Sequence, residues 1–426
     1  LSSYVIVQQP CGKANGTVPV AEVQYNPDVV NAIIDAFSVR NYRNRSLSGH
    51  DQFFSTFGRY LAASEGREGF MLAEVTARAA RQNVLYLEIM QSFGMHQARS
   101  LAPQSVLLDT QSGIKSLLAL PAMEKLVADT INATDVAENQ WREALQCHAN
   151  PDAQGCAVTV RYLAQVIRAF PLEQVLAQTI LAFRLIERDP RYVGLNFVAP
   201  EDAPMTLRDY TRQMEIIRDV AAYFPSVENA VSLHAGELAM PLVAPEELRK
   251  HIHEAVHLAG AKRIGHGVDI AYEDDARELL EFMAAQKILV EINLTSNAVI
   301  LEVEGDEHPF ELYRSFGVPM ALSTDDEGVS RIDLTHEYIR ASQSYDLGYA
   351  YLKELSRNSL AYSFLPGSSL FVEIRSGTMV KVCDRSRPPR NLADSCRAFL
   401  AGSEKARKQW QLEEQFDLFE AKYNSR

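Results

Sequence analysis

Ser232-Leu-His-Ala-Gly-Glu237 closes a short apolar run, Ala230–Leu233, and changes its chemistry within three residues. The run is too short for a helix and ends in an imidazole, a small residue, a glycine and a carboxylate. A buried strand reads this way when its C-terminal end delivers a functional side chain and then turns sharply. Two later runs end alike: Arg263-Ile-Gly-His266-Gly267 and Ala321-Leu-Ser-Thr-Asp325-Asp326. Packing alone gives no reason to set an ionisable residue at three strand tips.

Working outward, short apolar runs at Val84–Met90, Ala157–Leu163, Val193–Val198, Ala230–Leu233, Arg263–Gly265, Ile288–Leu294 and Pro319–Ser323 read as strands. Amphipathic stretches at Leu172–Glu187, Leu207–Phe224, Pro245–Ala259, Glu273–Gln286 and Pro309–Phe316 read as helices between or after them. Repeated strand–helix units predict an α/β fold with a parallel sheet. Neither G-x-G-x-x-G nor the Walker pattern occurs, so the phosphate loop of many doubly wound sheets is missing. The expectation is a (β/α)8 TIM barrel with strand one upstream of Leu1. Before Val84 the sequence gives helices at Pro27–Phe37, Asp51–Ala62 and Arg67–Gln82. It gives only a weak β-like stretch at Tyr4–Gln8, which runs into a Pro-Cys-Gly turn. Residues 1–366 are expected to form the barrel, with Leu334–Ala361 a long helical segment after its last strand. Residues 367–426 are expected to append a loop and a helical segment, Ala393–Tyr423.

A formal net charge of −13 argues against a nucleic-acid backbone as partner, which wants a basic face. No run approaches the roughly 18 uninterrupted apolar residues of a membrane span. Cys147 and Cys156 bracket one polar loop; Cys383 and Cys396 bracket another. These spacings predict two disulfides and an oxidising, periplasmic or secreted setting. Cys11 is left over, with a partner expected upstream of Leu1.

In a parallel barrel the reactive side chains gather where the strands end. That face would collect His234, Glu237, His266, Asp325 and Asp326. Imidazole and carboxylate together suit a zinc-like divalent ion, which lowers the pKa of bound water to about 7.

These three tips resemble the signatures of the metal-dependent adenosine deaminases of the amidohydrolase superfamily, including exported bacterial forms. Leu294-Thr-Ser-Asn297, Asn358–Phe364 and Asp51-Gln-Phe-Phe-Ser-Thr-Phe57 are similar to further family segments. The resemblance spans about Gly49 to Pro366. It implies that His234 and Asp325 ligate one Zn2+ and that His266 orients or deprotonates the attacking water. It implies that Glu237 protonates purine N1, that Asp326 meets the imidazole half of the purine, and that Phe53, Phe54 and Phe57 gate the pocket. The implied substrate is a small purine nucleoside, and the implied reaction is loss of ammonia from adenosine. The sequence departs from the family twice. No His-x-His stands on a first strand, so two further ligands are expected upstream of Leu1, with His234 and Asp325 facing a gap. The family's glycine-bearing loop that contacts purine N3 reads here Asn196-Phe-Val-Ala199-Pro-Glu201.

Two other readings compete. His253-Glu254-Ala-Val-His257 matches the H-E-x-x-H zinc-peptidase motif on an outer helix. A catalytically inactive, growth-factor-like nucleoside-binding relative would show the same tips without activity. His50, His96, His148, His308 and His336 read as surface or packing residues.

Overall fold

The computed structural model describes residues 19–44, 47–102, 110–151, 153–228, 230–388 and 391–424. Tyr4–Gln8 and Cys11 lie outside the described residues. Seven strands run parallel: β1 (Tyr86–Gln91), β2 (Thr159–Ile167), β3 (Tyr192–Val198), β4 (Ser232–Ala235), β5 (Arg263–His266), β6 (Leu289–Ile292) and β7 (Met320–Leu322). They are hydrogen-bonded in chain order as β1-β2-β3 and β4-β5-β6-β7. The Leu195–Val231 bridge joins the two runs, with the Leu195 N–H donating to the Ala230 carbonyl at 2.8 Å. Strand neighbours that follow chain order, with helical crossovers between them, are the (β/α) pattern predicted from the apolar runs. Among the described residues no strand pairs with the outer edges of β1 and β7.

The strands are apolar on both faces because helices cover them outside. Leu233, Ile264, Val290 and Ile292 share one buried core with Ile180, Ile217, Ile252, Met283 and Phe310 from the crossover helices. Those helices are Leu172–Arg188, Pro204–Ala221, His251–His257, Ala276–Gln286 and Phe310–Phe316.

Several elements depart from the expectation. The 24-residue helix Pro121–Ala144 has no counterpart among the elements read from sequence. Its buried stripe is interrupted by Thr130 and Thr134, whose hydroxyls donate back to the carbonyls of Leu126 and Thr130. Leu294 starts the helix Leu294–Ile300 rather than ending β6. The segment Leu334–Ala361 breaks at Asp346 into Leu334–Tyr345 and Tyr349–Ala361. The expected C-terminal helix divides at Gly402 into Asp394–Ala401 and Glu404–Asn424. A small antiparallel pair, β8 (Phe371–Glu373) and β9 (Thr378–Met379), precedes it.

Leu370, Phe371, Leu400 and Trp410 form a separate apolar cluster around Cys383 and Cys396. Both predicted cysteine pairs, Cys147–Cys156 and Cys383–Cys396, are joined as disulfides. At the N-terminal end of β5, Arg263 pairs with Glu88 of β1 and with Glu291 of β6 at 2.8 Å. Its guanidinium lies 4.0 Å over the Phe364 ring. Arg161 of β2 pairs with Glu404 of the last helix.

Candidate active site at the strand tips

The backbone at the tips bends in ways that ordinary residues resist. His266 sits at φ +72° and Gly267 at +61°, so β5 ends in two successive left-handed residues. Only glycine fits the second position, because a Cβ there would lie 2.5 Å from the Tyr313 hydroxyl. That hydroxyl donates to the Gly267 carbonyl at 2.7 Å. Asp325, beyond β7, sits at φ +53°. A side chain held in this region costs of order 1–3 kcal/mol, and such strain concentrates at functional sites.

These turns bring three predicted residues together. Ligand atoms of His234, His266 and Asp325 all lie within 4.8 Å of one another. Among the described residues this is the one group of three or more His, Cys, Asp or Glu able to hold a metal. The Glu237 carboxylate lies 3.4 Å from His266 Nδ1.

The neighbours fix how each group presents itself. Asn196 Oδ1 on β3 accepts from His234 Nδ1 at 2.7 Å, which leaves the Nε2 lone pair free. Ser296 Oγ donates to Asp325 at 2.6 Å. A chain of donors reaches His266: the Phe310 N–H donates to His308 Nδ1, His308 Nε2 donates to Asn297 Oδ1, and Asn297 Nδ2 donates to His266 Nδ1 at 2.9 Å. Following those donors assigns the proton of a neutral His266 to Nε2. His234 thus offers a lone pair and His266 an N–H.

Burial sets the charge states. It pulls His234 down to about 3, helped by His266, and His266 down to about 4. Both rings are therefore neutral near pH 7. Burial raises the Glu237 carboxyl well above its usual value, and the charges of Asp325 and Glu201 add to this. Asp326 is raised by burial and then by Asp325.

The donor set fits a zinc-like ion: a neutral imidazole with a free lone pair and a carboxylate held by a hydroxyl are borderline ligands of the right type. The one His-x-His of the sequence, His251-Ile-His253, stands on the helix His251–His257 and is not part of this group.

Phe53, Phe54 and Phe57 stand on the helix Gly49–Ser64 and meet edge to face at 5.4 and 5.8 Å. Phe53 is 2% exposed, and all three pack with Ala239, Val268, Val299 and Val329, which follow β4, β5, β6 and β7. The helix therefore lies across the strand tips. Burial, and then Asp326, raise the Tyr60 hydroxyl on the same helix. Ala199, one residue past β3, is held at φ +113°, where glycine is the easy residue.

The H-E-x-x-H helix is not part of this group. His253 and His257 are exposed, and Glu254 accepts from the Thr211 hydroxyl at 2.9 Å. Among the described residues no third ligand joins them.

Sequence reasoning missed Asn196, Ser296 and Asn297 as supports, and it read two histidines too blandly. His308 is buried and relays a hydrogen bond to His266. His50 bonds Asp202, in the loop after β3, at 3.1 Å. A polar residue inside an otherwise apolar strand, as Asn196 is in β3, was the available signal.

A sequence model of the adenosine deaminase family matches residues 22–370, well over half of the chain. The chain belongs to the adenosine deaminase family. All three strand tips fall inside the matched span. An adenosine deaminase of Escherichia coli (strain SMS-3-5 / SECEC) is 37% identical over 136 residues, which cover 32% of this chain and 38% of that protein. One from Shewanella loihica is 36% identical over 140 residues, covering 33% and 39%. The chain thus aligns with less than two thirds of the length of these relatives. Arabidopsis ADAL complexed with GMP superposes with a TM-score of 0.51 at 18% identity, over 83% of this chain and 85% of that one. Its complex with IMP gives 0.51 at 20% identity, over 83% and 84%. At such identity these likenesses support the family's fold alone. No helix among the described residues is long and apolar enough to cross a membrane.

Proposed function

We propose that this family member is a metal-dependent aminohydrolase that converts adenosine, or a close purine nucleoside, to inosine and ammonia. The observation that carries the reading is the convergence of His234, His266 and Asp325 within 4.8 Å, with Glu237 beside His266. His234 and Asp325 would hold one divalent ion, zinc by the chemistry of the set. When bound, the ion supplies the Lewis acidity that makes water nucleophilic near neutral pH.

The chain's own residues do the rest. Glu237, kept protonated by its buried setting, donates its proton to purine N1 as the water oxygen adds to C6. His266 holds that oxygen through Nε2–H. Asp326, also raised, donates toward the imidazole half of the ring. The backbone N–H of Ala199 faces purine N3. Phe53, Phe54 and Phe57 close over the base and exclude water. The C6–N6 bond then breaks: one proton of the added water passes to N6, which leaves as ammonia, the other returns to Glu237, and the C6 oxygen remains in inosine. The same reading divides the chain into a barrel, 1–366, and an appended unit, 367–426, that contributes no site residue. Two disulfides suit a periplasmic or secreted setting.

The test is incubation of the full chain with adenosine, 2′-deoxyadenosine and N6-methyladenosine, reading the amine released (ammonia from the first two, methylamine from the third) and the inosine or 2′-deoxyinosine formed, alongside metal content. Ammonia from adenosine, lost on chelation and restored by zinc, is the expected result. No amine and no inosine or 2′-deoxyinosine from any of the three, with metal bound, would leave an inactive nucleoside binder.

A further inference from the structure

Beneath the tip of β4 lies a second buried cluster that the reaction above does not use. Glu201 follows β3 and is 1% exposed. Its Oε1 accepts the Gly236 N–H at 3.0 Å, and its Oε2 accepts the Glu237 N–H at 2.9 Å. The same carboxylate takes His251 Nδ1 at 2.6 Å. The His251 ring stacks on Tyr210 at 3.7 Å with 7° between planes, and the Tyr210 hydroxyl donates to the His251 carbonyl at 2.9 Å. Arg168, at the end of β2 and fully buried, brings one guanidinium nitrogen 3.8 Å from Glu201 Oε2. Its other nitrogen donates to the His234 carbonyl at 3.1 Å.

The end of β2 and the loop after β3 therefore grip one tetrapeptide, His234–Glu237, by its main chain, while His251 braces the carboxylate that does so. Gly236 is the pivot: it sits at φ +73°, and a Cβ there would lie 2.4 Å from Asp269 Oδ1. A main chain so bent has no intrinsic reason to keep its shape. Two parallel N–H bonds to one carboxylate define both the position and the tilt of the 236–237 peptide.

We infer that Glu201, braced by His251 and Arg168, is a positioning residue that aims the Glu237 side chain and His234 at one point. The inference rests on the deaminase reading for its catalytic consequence, though not for its geometry. Misplacement of a catalytic group by about 1 Å can cost on the order of 100-fold in rate. Glu201→Gln keeps the volume but sets an amide N–H against one of the two backbone N–H groups. His251→Asn keeps a side-chain N–H donor to Glu201; His251→Phe keeps the stacking and donates nothing.

The experiment compares these three variants with wild type by steady-state kinetics on adenosine, thermal unfolding, metal content, and hydrogen exchange of the peptide 232–240. Glu201→Gln and His251→Phe are expected to exchange faster in that peptide by at least tenfold, with peptides of β6 and β7 unchanged. Their kcat is expected to fall about 100-fold with KM within threefold and metal retained. His251→Asn is expected to lose less than tenfold. Unchanged exchange in Glu201→Gln would overturn the inference. So would an activity loss in His251→Asn equal to that in His251→Phe, or one that merely tracks a lowered midpoint across all variants. If wild type releases no ammonia, the deaminase reading falls by itself, and the exchange measurement still decides the positioning role.

Discussion

Ala199 carries a Cβ at φ +113°, one residue past β3. Nothing about an alanine side chain explains that conformation, whereas a glycine would adopt it freely. Ala199→Gly should therefore raise stability by about 1 kcal/mol, seen as a higher thermal midpoint, because relief of strain outweighs the added unfolded-state freedom. Substrate turnover should persist, since the backbone N–H remains. Glu237 makes the opposite case. Glu237→Gln removes the proton donor while keeping volume, so kcat should fall at least about 100-fold with metal retained. Because burial raises the Glu237 carboxyl, the acid form persists to higher pH than in a free carboxyl and is lost as pH climbs through the raised value. The wild-type kcat should therefore decline on the alkaline side, and a flat alkaline limb would remove Glu237 from the acid role. The tip residues were legible because ionisable groups end apolar runs. Asn196 and Asn297 were not, because their role is to set which nitrogen of a histidine carries its proton, and no local pattern encodes that.

At the scale of the element, the helix Gly49–Ser64 is tied down at its first turn. Ser48 Oγ caps it by accepting the Asp51 N–H at 3.0 Å, and His50 reaches Asp202 in the loop after β3. Burial lowers the His50 pKa, but the Asp202 and Asp51 carboxylates on its two nitrogens outweigh this and leave it raised. A raised histidine contributes its full stabilisation below its unfolded value, and that contribution is lost as pH rises through the folded value. Closure of this aromatic helix over the site should therefore weaken as pH rises. In His50→Ala, KM for adenosine should increase severalfold and lose its dependence on pH across the range where His50 titrates. An unchanged pH profile of KM would show that the tether does not govern access. Strands buried on both faces announce themselves as unbroken apolar runs, so all seven were read to within four residues at each end. The helix Pro121–Ala144 was not, because threonines that satisfy themselves against their own backbone stand in its apolar stripe.

At the scale of the molecule, the barrel gathers His234, His266 and Asp325 at one end and the Arg263 charge cluster at the other. Arg263 lies between Glu88 and Glu291, and the Phe364 N–H also donates to Glu88 at 2.7 Å. Arg263→Met would leave two carboxylates facing each other with no cation between them. Loss of one partner from a buried pair costs about 3–5 kcal/mol, so urea unfolding should show a drop of that order. A drop under about 1 kcal/mol would mean that water reaches the pair. This layer was invisible in the sequence, since its members lie in β1, β5, β6 and the segment after the helix Tyr349–Ala361. The topology was legible from strand–helix alternation, but which charges meet across it depends on register.

The pairing of Arg161 with Glu404 has a consequence for biosynthesis. Arg161 is translated 243 residues before its partner. While the last helix is still inside the ribosome, β2 carries a cation with no anion to receive it. Contacts so distant in sequence form late and slowly. The nascent barrel should thus stay open to chaperones until the helix Glu404–Asn424 emerges, and stalled chains ending before Glu404 should remain sensitive to protease.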